Sequence, residues 1–443
     1  MMRILQTLRN ALGLKDPTKT ATIMRSAALF VNFFLIITAL YQIKPASRSL
    51  VLEVINAEQL PYVWIASALV LLTIIGFYHR ILRRFQRIQI VLGTAVLFMT
   101  MLLIFRLLFR DAGFLTAVAF YIFVDILSVV MVEQFWSLAN SIYNTKDGKN
   151  WYGLVGTGGL LGGGVGSAAA AVLIKYTPLQ TPDLLLVAAG IIGLICILTV
   201  LMGYFKIYEE HQLVQTSMLR RHGRGRWELF ARNKYLYLIA AALLMAQLIS
   251  PMVEFQFMKI VASTYPEREV RTATLSLFFT VLSGFSIFVN LILTPIILRV
   301  FGILAGLMAQ PVVLALSAYG FGLNPGFLAA AIMKISDRGL SYSLTRATKE
   351  LLYIPVDTIV MYQAKAWIDM LGYRSFKLIG AFFILVLTQW TTIVPNVIPL
   401  TWVIILGCAI WMGILIVLNR SYQSKYLQSK EVFTTIDGAQ ERT

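Results

Sequence analysis

Apolar runs long enough to cross a bilayer recur along this 443-residue chain, at 26–43, 61–79, 88–108, 114–138, 153–174, 184–205, 235–257, 274–295, 302–321, 325–345, 376–395 and 399–418. About 20 consecutive apolar residues are needed to span the hydrocarbon core as a helix. Hydrophobic residues make up 58% of the chain and charged residues 13%, against about 25% charged in a soluble domain. The sequence therefore reads as an integral membrane protein. The fold class expected is all-α, with twelve transmembrane helices in two pseudo-symmetric six-helix bundles.

Two bundles are expected because the chain repeats itself. Ile81-Leu82-Arg83-x-Phe85 returns as Ile297-Leu298-Arg299-x-Phe301, and Lys149-x-Trp151 as Lys365-x-Trp367. Gly156 returns as Gly372 and Gly164 as Gly380, every match at the same separation of 216 residues. Homologous membrane halves are the build of secondary transporters, whose substrate site lies between the repeats near the bilayer midplane. The halves are expected at 1–205 and 235–443. Between them lies a polar, basic cytoplasmic linker at 206–234, with Gly223 and Gly225 as flexible points. Segment 346–375, where aliphatic and aromatic residues alternate with charges, is expected as a partly helical stretch on the cytoplasmic face.

A net charge of +17 raises the question of nucleic acid. With both termini on one side, most of the 38 Lys and Arg fall on that side, in the N-terminal segment, the 80–87 loop, the linker and the tail. The positive-inside rule makes that side the cytoplasm, so the basic balance signals topology and not a nucleic-acid partner. The expected location is a bacterial inner membrane with both termini cytoplasmic, and the expected state is a monomer. The first apolar run is too long for a cleaved signal peptide.

Cys196 and Cys408 lie far apart in apolar spans, and His79, His211 and His222 show no ligand spacing. No disulfide, metal site or cofactor is expected. The Gly-rich stretch from Gly153 to Gly166 lacks the Gly-Lys-Ser/Thr ending of a phosphate loop. Gly158, Gly162 and Gly166 instead form a four-spaced stripe that lets helix backbones approach closely. No catalytic constellation is visible, so the chain is not expected to be an enzyme.

Charges inside spans are expensive and mark candidate sites. They are Lys44 and Arg48 in the first span, Asp125 and Glu133 in the fourth, Glu254 and Lys259 in the seventh, and Lys334, Asp337 and Arg338 in the tenth. Lys44, Lys175 and Lys259 can equally snorkel to an interface. Asp337 and Arg338 can form either a local pair or a gate. Glu133 and Lys349 are again 216 residues apart with opposite signs, suggesting a gating pair or a division of labour in which Lys349 meets an anion and Glu133 balances charge. Arg48 and Glu254 could form a second pair. Cationic groups in a wet central cavity suit an anionic substrate, phosphate above all.

Three stretches carry a family resemblance. Lys349-Glu350-Leu-Leu-Tyr353-Ile354-Pro355-Val356-Asp357, followed by Lys365-Ala366-x-Ile368-Asp369 and Lys377, resembles "KE-x-x-YIPLD … KGKAAID … GKSGG". Phe135-Trp136-Ser-Leu-Ala139-Asn140-Ser-Ile142 with Lys149-x-x-Tyr152 is similar to "FW-x-x-AN-x-I … AKR-x-Y". Tyr41, with Arg48 seven residues on and then Leu50-Val51, is similar to "YTILRDTKD-x-LVV". These patterns are those of the non-mitochondrial ATP/ADP translocase (nucleotide transporter) family of plastids and intracellular bacteria.

The resemblance implies a fold of major-facilitator type and an ATP/ADP-type antiporter working by alternating access, with Arg48, Glu133, Glu254 and Lys349 among the charges required for exchange. It extends the candidate set to Asn140, Glu350, Tyr353, Asp357, Lys365 and Lys377. Arg48 stands where the family has Lys, and Pro45-Ala46 stands where it has Arg-Asp. Thr358-Ile359-Val360-Met361-Tyr362-Gln363 is apolar where the family is charged. That departure keeps open a carrier of another organic anion, such as a carboxylate or a siderophore. A non-transporting membrane sensor or assembly protein is the third reading.

Overall fold

The computed structural model describes residues 17–81, 87–111, 113–142, 145–204, 233–356, 358–368, 372–390 and 397–440. The described chain is almost entirely helical. Helices α1 (Pro17–Val54), α2 (Leu60–Ile81), α3 (Arg87–Leu108), α4 (Phe114–Ile142), α5 (Thr145–Tyr176) and α6 (Leu184–Tyr204) come from the first half of the sequence. The second half supplies α7 (Lys234–Thr264), α8 (Arg268–Phe288), α9 (Thr294–Val300), α10 (Gly302–Leu323), α11 (Phe327–Leu340) and α12 (Arg346–Leu352). It ends with α13 (Thr358–Trp367), α14 (Tyr373–Leu385) and α15 (Val397–Gln440). Helix is what a bilayer demands, since each backbone polar group must find its partner within the segment.

Ten helical stretches among the described residues are long and apolar enough to cross a membrane, and they coincide with ten of the twelve expected spans. The other two expected spans, at 325–345 and 376–395, are not among these ten. The span at 325–345 carries Lys334, Asp337 and Arg338 within one short helix and is too polar to qualify. The span at 376–395 ends in residues 391–396, outside the described set. The expected linker, apart from Asn233 and Lys234, also lies outside it.

Two compact units emerge. One gathers Met1–Asn56, Ala66–Thr216 and Tyr265–Ile287; the other gathers Ala57–Ile65, Ser217–Thr264 and Phe288–Thr443. Residues 57–65 thus cluster with the second-half helices, and most of α8 clusters with the first-half helices.

In the first unit α1 is the central helix, packed along α5 and also touching α4 and α6. The glycine stripe makes this possible. A Cβ on Gly166 would stand 2.6 Å from the Thr38 carbonyl oxygen, and one on Gly158 would stand 2.8 Å from that of Phe30. Thr38 Oγ1 uses the proximity to donate across to the Gly162 carbonyl oxygen at 3.3 Å. Beside this seam Phe33 stacks on Phe135 at 4.4 Å, and Phe98, Phe120, Leu127 and Ile192 complete a buried core. Between helices already in lipid, such packing and hydrogen bonding replace the hydrophobic drive of a soluble core.

The second unit also has a close approach of two helix backbones at a glycine. Its α7 packs on α14, where Gly380, the repeat partner of Gly164, would set a Cβ 2.7 Å from the Leu248 carbonyl oxygen. Gly302, at φ +77°, makes the turn from α9 into α10 in a conformation that only glycine adopts cheaply.

Residues 346–352 do not form a separate surface stretch. Helix α11 continues into them through a π-turn at Ser341–Thr345, and Thr348, Lys349 and Leu352 are buried. The outward sides of the helices carry Leu107, Leu194, Ile197, Leu316 and Leu406 exposed, as a lipid-facing surface requires.

Candidate functional site

In the first unit, the buried turn of α1 that carries Lys44 and Arg48 meets a set of aromatic rings. Positions four apart on a helix share a face. Lys44 Nζ lies 4.8 Å from the Tyr41 ring centre and 5.1 Å from that of Phe279. The Arg48 guanidinium lies 5.6 Å from the Tyr121 ring centre and 5.9 Å from that of Phe279. Tyr41 meets Phe279 edge-on at 5.7 Å, and Arg48 Nη1 donates to the Lys44 carbonyl oxygen at 3.3 Å. Arg48 is only 8% exposed. Ring faces stabilise a desolvated cation by roughly 2 kcal/mol or more, which helps hold these charges inside a span.

The other first-unit candidates are spread along α4. Asp125 accepts from Ser67 Oγ at 3.0 Å, and Asn140 Oδ1 accepts from the Tyr152 hydroxyl at 2.6 Å. Glu133 is exposed on α4 beside Gln134, whose Oε1 accepts from Thr94 Oγ1 at 2.7 Å.

A polar clamp closes one end of this unit. Arg271, 3% exposed, donates to Ser49 Oγ and to the carbonyl oxygens of Ser49, Tyr265 and Pro266. Arg268 meets Glu53 at 3.4 Å and Glu269 at 2.9 Å, and Glu269 accepts from the Thr181 amide and hydroxyl. The clamp ties α8 to the end of α1 and to the short turn Thr181–Asp183 that precedes α6. Composition hid it, because Arg268 and Arg271 read as ordinary charges flanking a span.

The second unit holds a buried ion network. Lys334 Nζ lies 2.5 Å from Glu254 Oε2 and 3.5 Å from Asp337 Oδ2, while Arg338 Nε meets Asp337 at 3.4 Å. Ser250 Oγ donates to Asp337 at 2.6 Å. Gln310 donates to the Asp337 carbonyl oxygen at 3.0 Å and accepts from Thr345 at 2.7 Å. The Lys334 and Asp337 side chains are each 3% exposed. Asp337 and Arg338 do form a local pair, within this larger network. Lys259 pairs with Glu58 at 2.9 Å.

Farther along the helical run that begins with α11, buried Lys349 donates to the Tyr373 hydroxyl at 3.3 Å and sits 5.2 Å from its ring centre. Glu350 pairs with Lys365 at 2.5 Å, and Lys365 lies 4.8 Å from the ring centre of fully buried Tyr353. Lys377 is exposed on α14, and Asp357 lies outside the described residues. The aromatic partners Phe279, Tyr121 and Tyr373, and the polar partners Ser250 and Gln310, have no sequence motif of their own.

Helices long and apolar enough to cross a membrane, holding charges and rings within the spans, make a fold of major-facilitator type. Solved transporters share this fold. A bacterial homologue of the iron transporter ferroportin, in an inward-facing state, aligns over 89% of this chain and 98% of its own, at TM-score 0.58 and 15% identity. A nucleoside transporter aligns over 92% and 100%, at TM-score 0.52 and 13% identity.

Residues 112–323 and 321–422 match the model of the TLC ATP/ADP transporter family, and the chain belongs to that family. Among its relatives, ADP,ATP carrier protein 3 of Rickettsia bellii is 23% identical over 357 residues, covering 68% of this chain and 69% of the relative. ADP,ATP carrier protein 1 of Chlamydia pneumoniae is 25% identical over 305 residues, covering 60% and 59%.

Proposed function

We propose that this carrier exchanges adenine nucleotides, ATP against ADP, by alternating access. The proposal includes a monomer in a bacterial inner membrane with both termini in the cytoplasm. The observation that carries the reading is Arg48, a guanidinium kept inside a span against the faces of Tyr121 and Phe279. It stands at the position where the family pattern has its cation. Guanidinium on rings leaves in-plane N–H donors for a phosphate, which Arg engages in a bidentate manner.

The charges proposed to serve exchange are Arg48, Glu133, Glu254 and Lys349. Asn140, Glu350, Tyr353, Asp357, Lys365 and Lys377 are proposed to shape binding or gating. The names of the Rickettsia and Chlamydia relatives support a nucleotide substrate. The pairing of Glu254 with Lys334 supports a role for this acid in a charge-balanced interior.

Uptake of labelled ATP and ADP into liposomes carrying the purified protein, preloaded with ADP, ATP, phosphate or nothing, tests the proposal. Uptake that requires internal nucleotide is the expected result. Folded protein that moves no nucleotide would overturn it and turn attention to another organic anion, with the apolar stretch from Thr358 to Gln363 as the place where specificity differs.

A further inference from the structure

Lys44 needs a reason to stand where it does. It lies ten residues before the end of the α1 helix at Val54, inside the stretch Thr22–Val54 that crosses the membrane. Its neighbour one turn on is Arg48, and both cations lean on the same ring, that of Phe279. Like charges at this spacing repel, and the repulsion grows as water is excluded.

The fold itself does not call for the pair. The sequence repeat relates Lys44 to Ile260 and Arg48 to Thr264, while Tyr41 maps to Phe257. The corresponding positions of α7 therefore carry neither charge, and the cation of that turn, Lys259, pairs with Glu58 at 2.9 Å. Nor does the aromatic setting explain two cations where one would pack as well. Two adjacent positive groups on one helix face, sharing one ring, complement a ligand that carries adjacent negative groups.

We infer that Lys44 is a second phosphate-binding cation, and that the Lys44–Arg48 pair selects ligands with two or more linked phosphates over monophosphates. This rests on the reading of Arg48 as a phosphate contact and adds to it a determinant of substrate class, nucleoside di- and triphosphates. Arg48 supplies the planar fork and Lys44 a mobile point charge, so one phosphate is held in a fixed orientation and the next is met by a side chain that can follow it.

Calorimetric titration of the purified carrier with ADP, AMP and inorganic pyrophosphate separates the two readings. Wild type is expected to bind ADP more tightly than AMP. K44Q is expected to weaken ADP and pyrophosphate by about tenfold, the scale of one charge-assisted contact, while AMP binding changes little. K44R, which keeps the charge, is expected to recover most of the loss, and its unfolding curve controls for the fold. An ADP-to-AMP preference that K44Q leaves unchanged would overturn the inference. Lys44-dependent pyrophosphate binding without nucleotide binding would uphold the cation pair and sink the nucleotide reading, whereas wild type that binds none of the three overturns both.

Discussion

Lys334 and Glu254 meet at 2.5 Å, linking α11 to α7 through a lysine whose side chain is 3% exposed. Asp337, one turn on from Lys334, accepts from Ser250 on the same α7 and so gives the two helices a second tie. Two positive and two negative side chains make the cluster neutral, the condition under which ionised groups can be kept in a span. Buried pairs of this kind do not add much stability by existing, because desolvation offsets attraction. Their weight shows when one member is removed.

Lys334→Met should therefore be harmful in a way that Glu254→Gln is not. The first leaves Glu254 and Asp337 as carboxylates deprived of their shared cation, at a cost of about 3–5 kcal/mol. The second leaves Lys334 with Asp337. Thermal unfolding in detergent should show a much larger drop in midpoint for Lys334→Met, and equal drops would show that the network is not organised around the lysine.

The seam between α1 and α5 gives a sharper structural test. Gly166→Ala would drive a methyl into the Thr38 backbone, 2.6 Å from its carbonyl oxygen and 2.9 Å from its Cα. Neither helix can yield by a side-chain rotation, so overpacking of about 1–3 kcal/mol is expected. Gly190→Ala, on α6 with nothing within 4 Å of the added carbon, should be neutral or stabilising by roughly 0.5–1 kcal/mol. Denaturation of the two variants side by side checks the contrast.

Lys349→Gln should abolish nucleotide exchange while the protein remains folded and inserted. The side chain donates to the Tyr373 hydroxyl, and glutamine can keep a polar contact there while losing the charge. Counterflow in liposomes, with insertion checked by protease protection, decides the matter. Unimpaired exchange would remove Lys349 from the set of required charges.

The spans, the internal repeat and the packing role of Gly158, Gly162 and Gly166 were legible because each leaves a one-dimensional trace. Length, offset and four-residue spacing survive without coordinates. The candidate acids and bases were legible one at a time, since any charge in an apolar run stands out. Their partners were not. Phe279, Tyr121 and Tyr373 are aromatics in a chain already rich in them, and only tertiary packing decides which ring meets Arg48 or Lys349. Ser250 is a small residue beside Pro251 in an apolar helix, and its bond to Asp337 leaves no periodicity to read. Arg271 flanks an apolar run and looks in the sequence like any charge at a span's end, yet it is 3% exposed and donates four hydrogen bonds. The stretch after residue 345 looked like a surface segment because its charges are frequent, yet helical geometry buries Thr348, Lys349 and Leu352 and leaves Glu350 outside.

The π-turn at Ser341–Thr345 has a consequence for direction. A π-turn accommodates one residue more than an α-helical turn does, and each residue advances the helix by about 100°. The ion network at Lys334 and Asp337 lies before this turn and Lys349 lies after it, on one unbroken helical run. Had the run been regular α-helix, the Lys349 ammonium would point about 100° away around the axis, off Tyr373. A single surplus residue thus acts as an angular offset, aiming one charge independently of the others on the same rod.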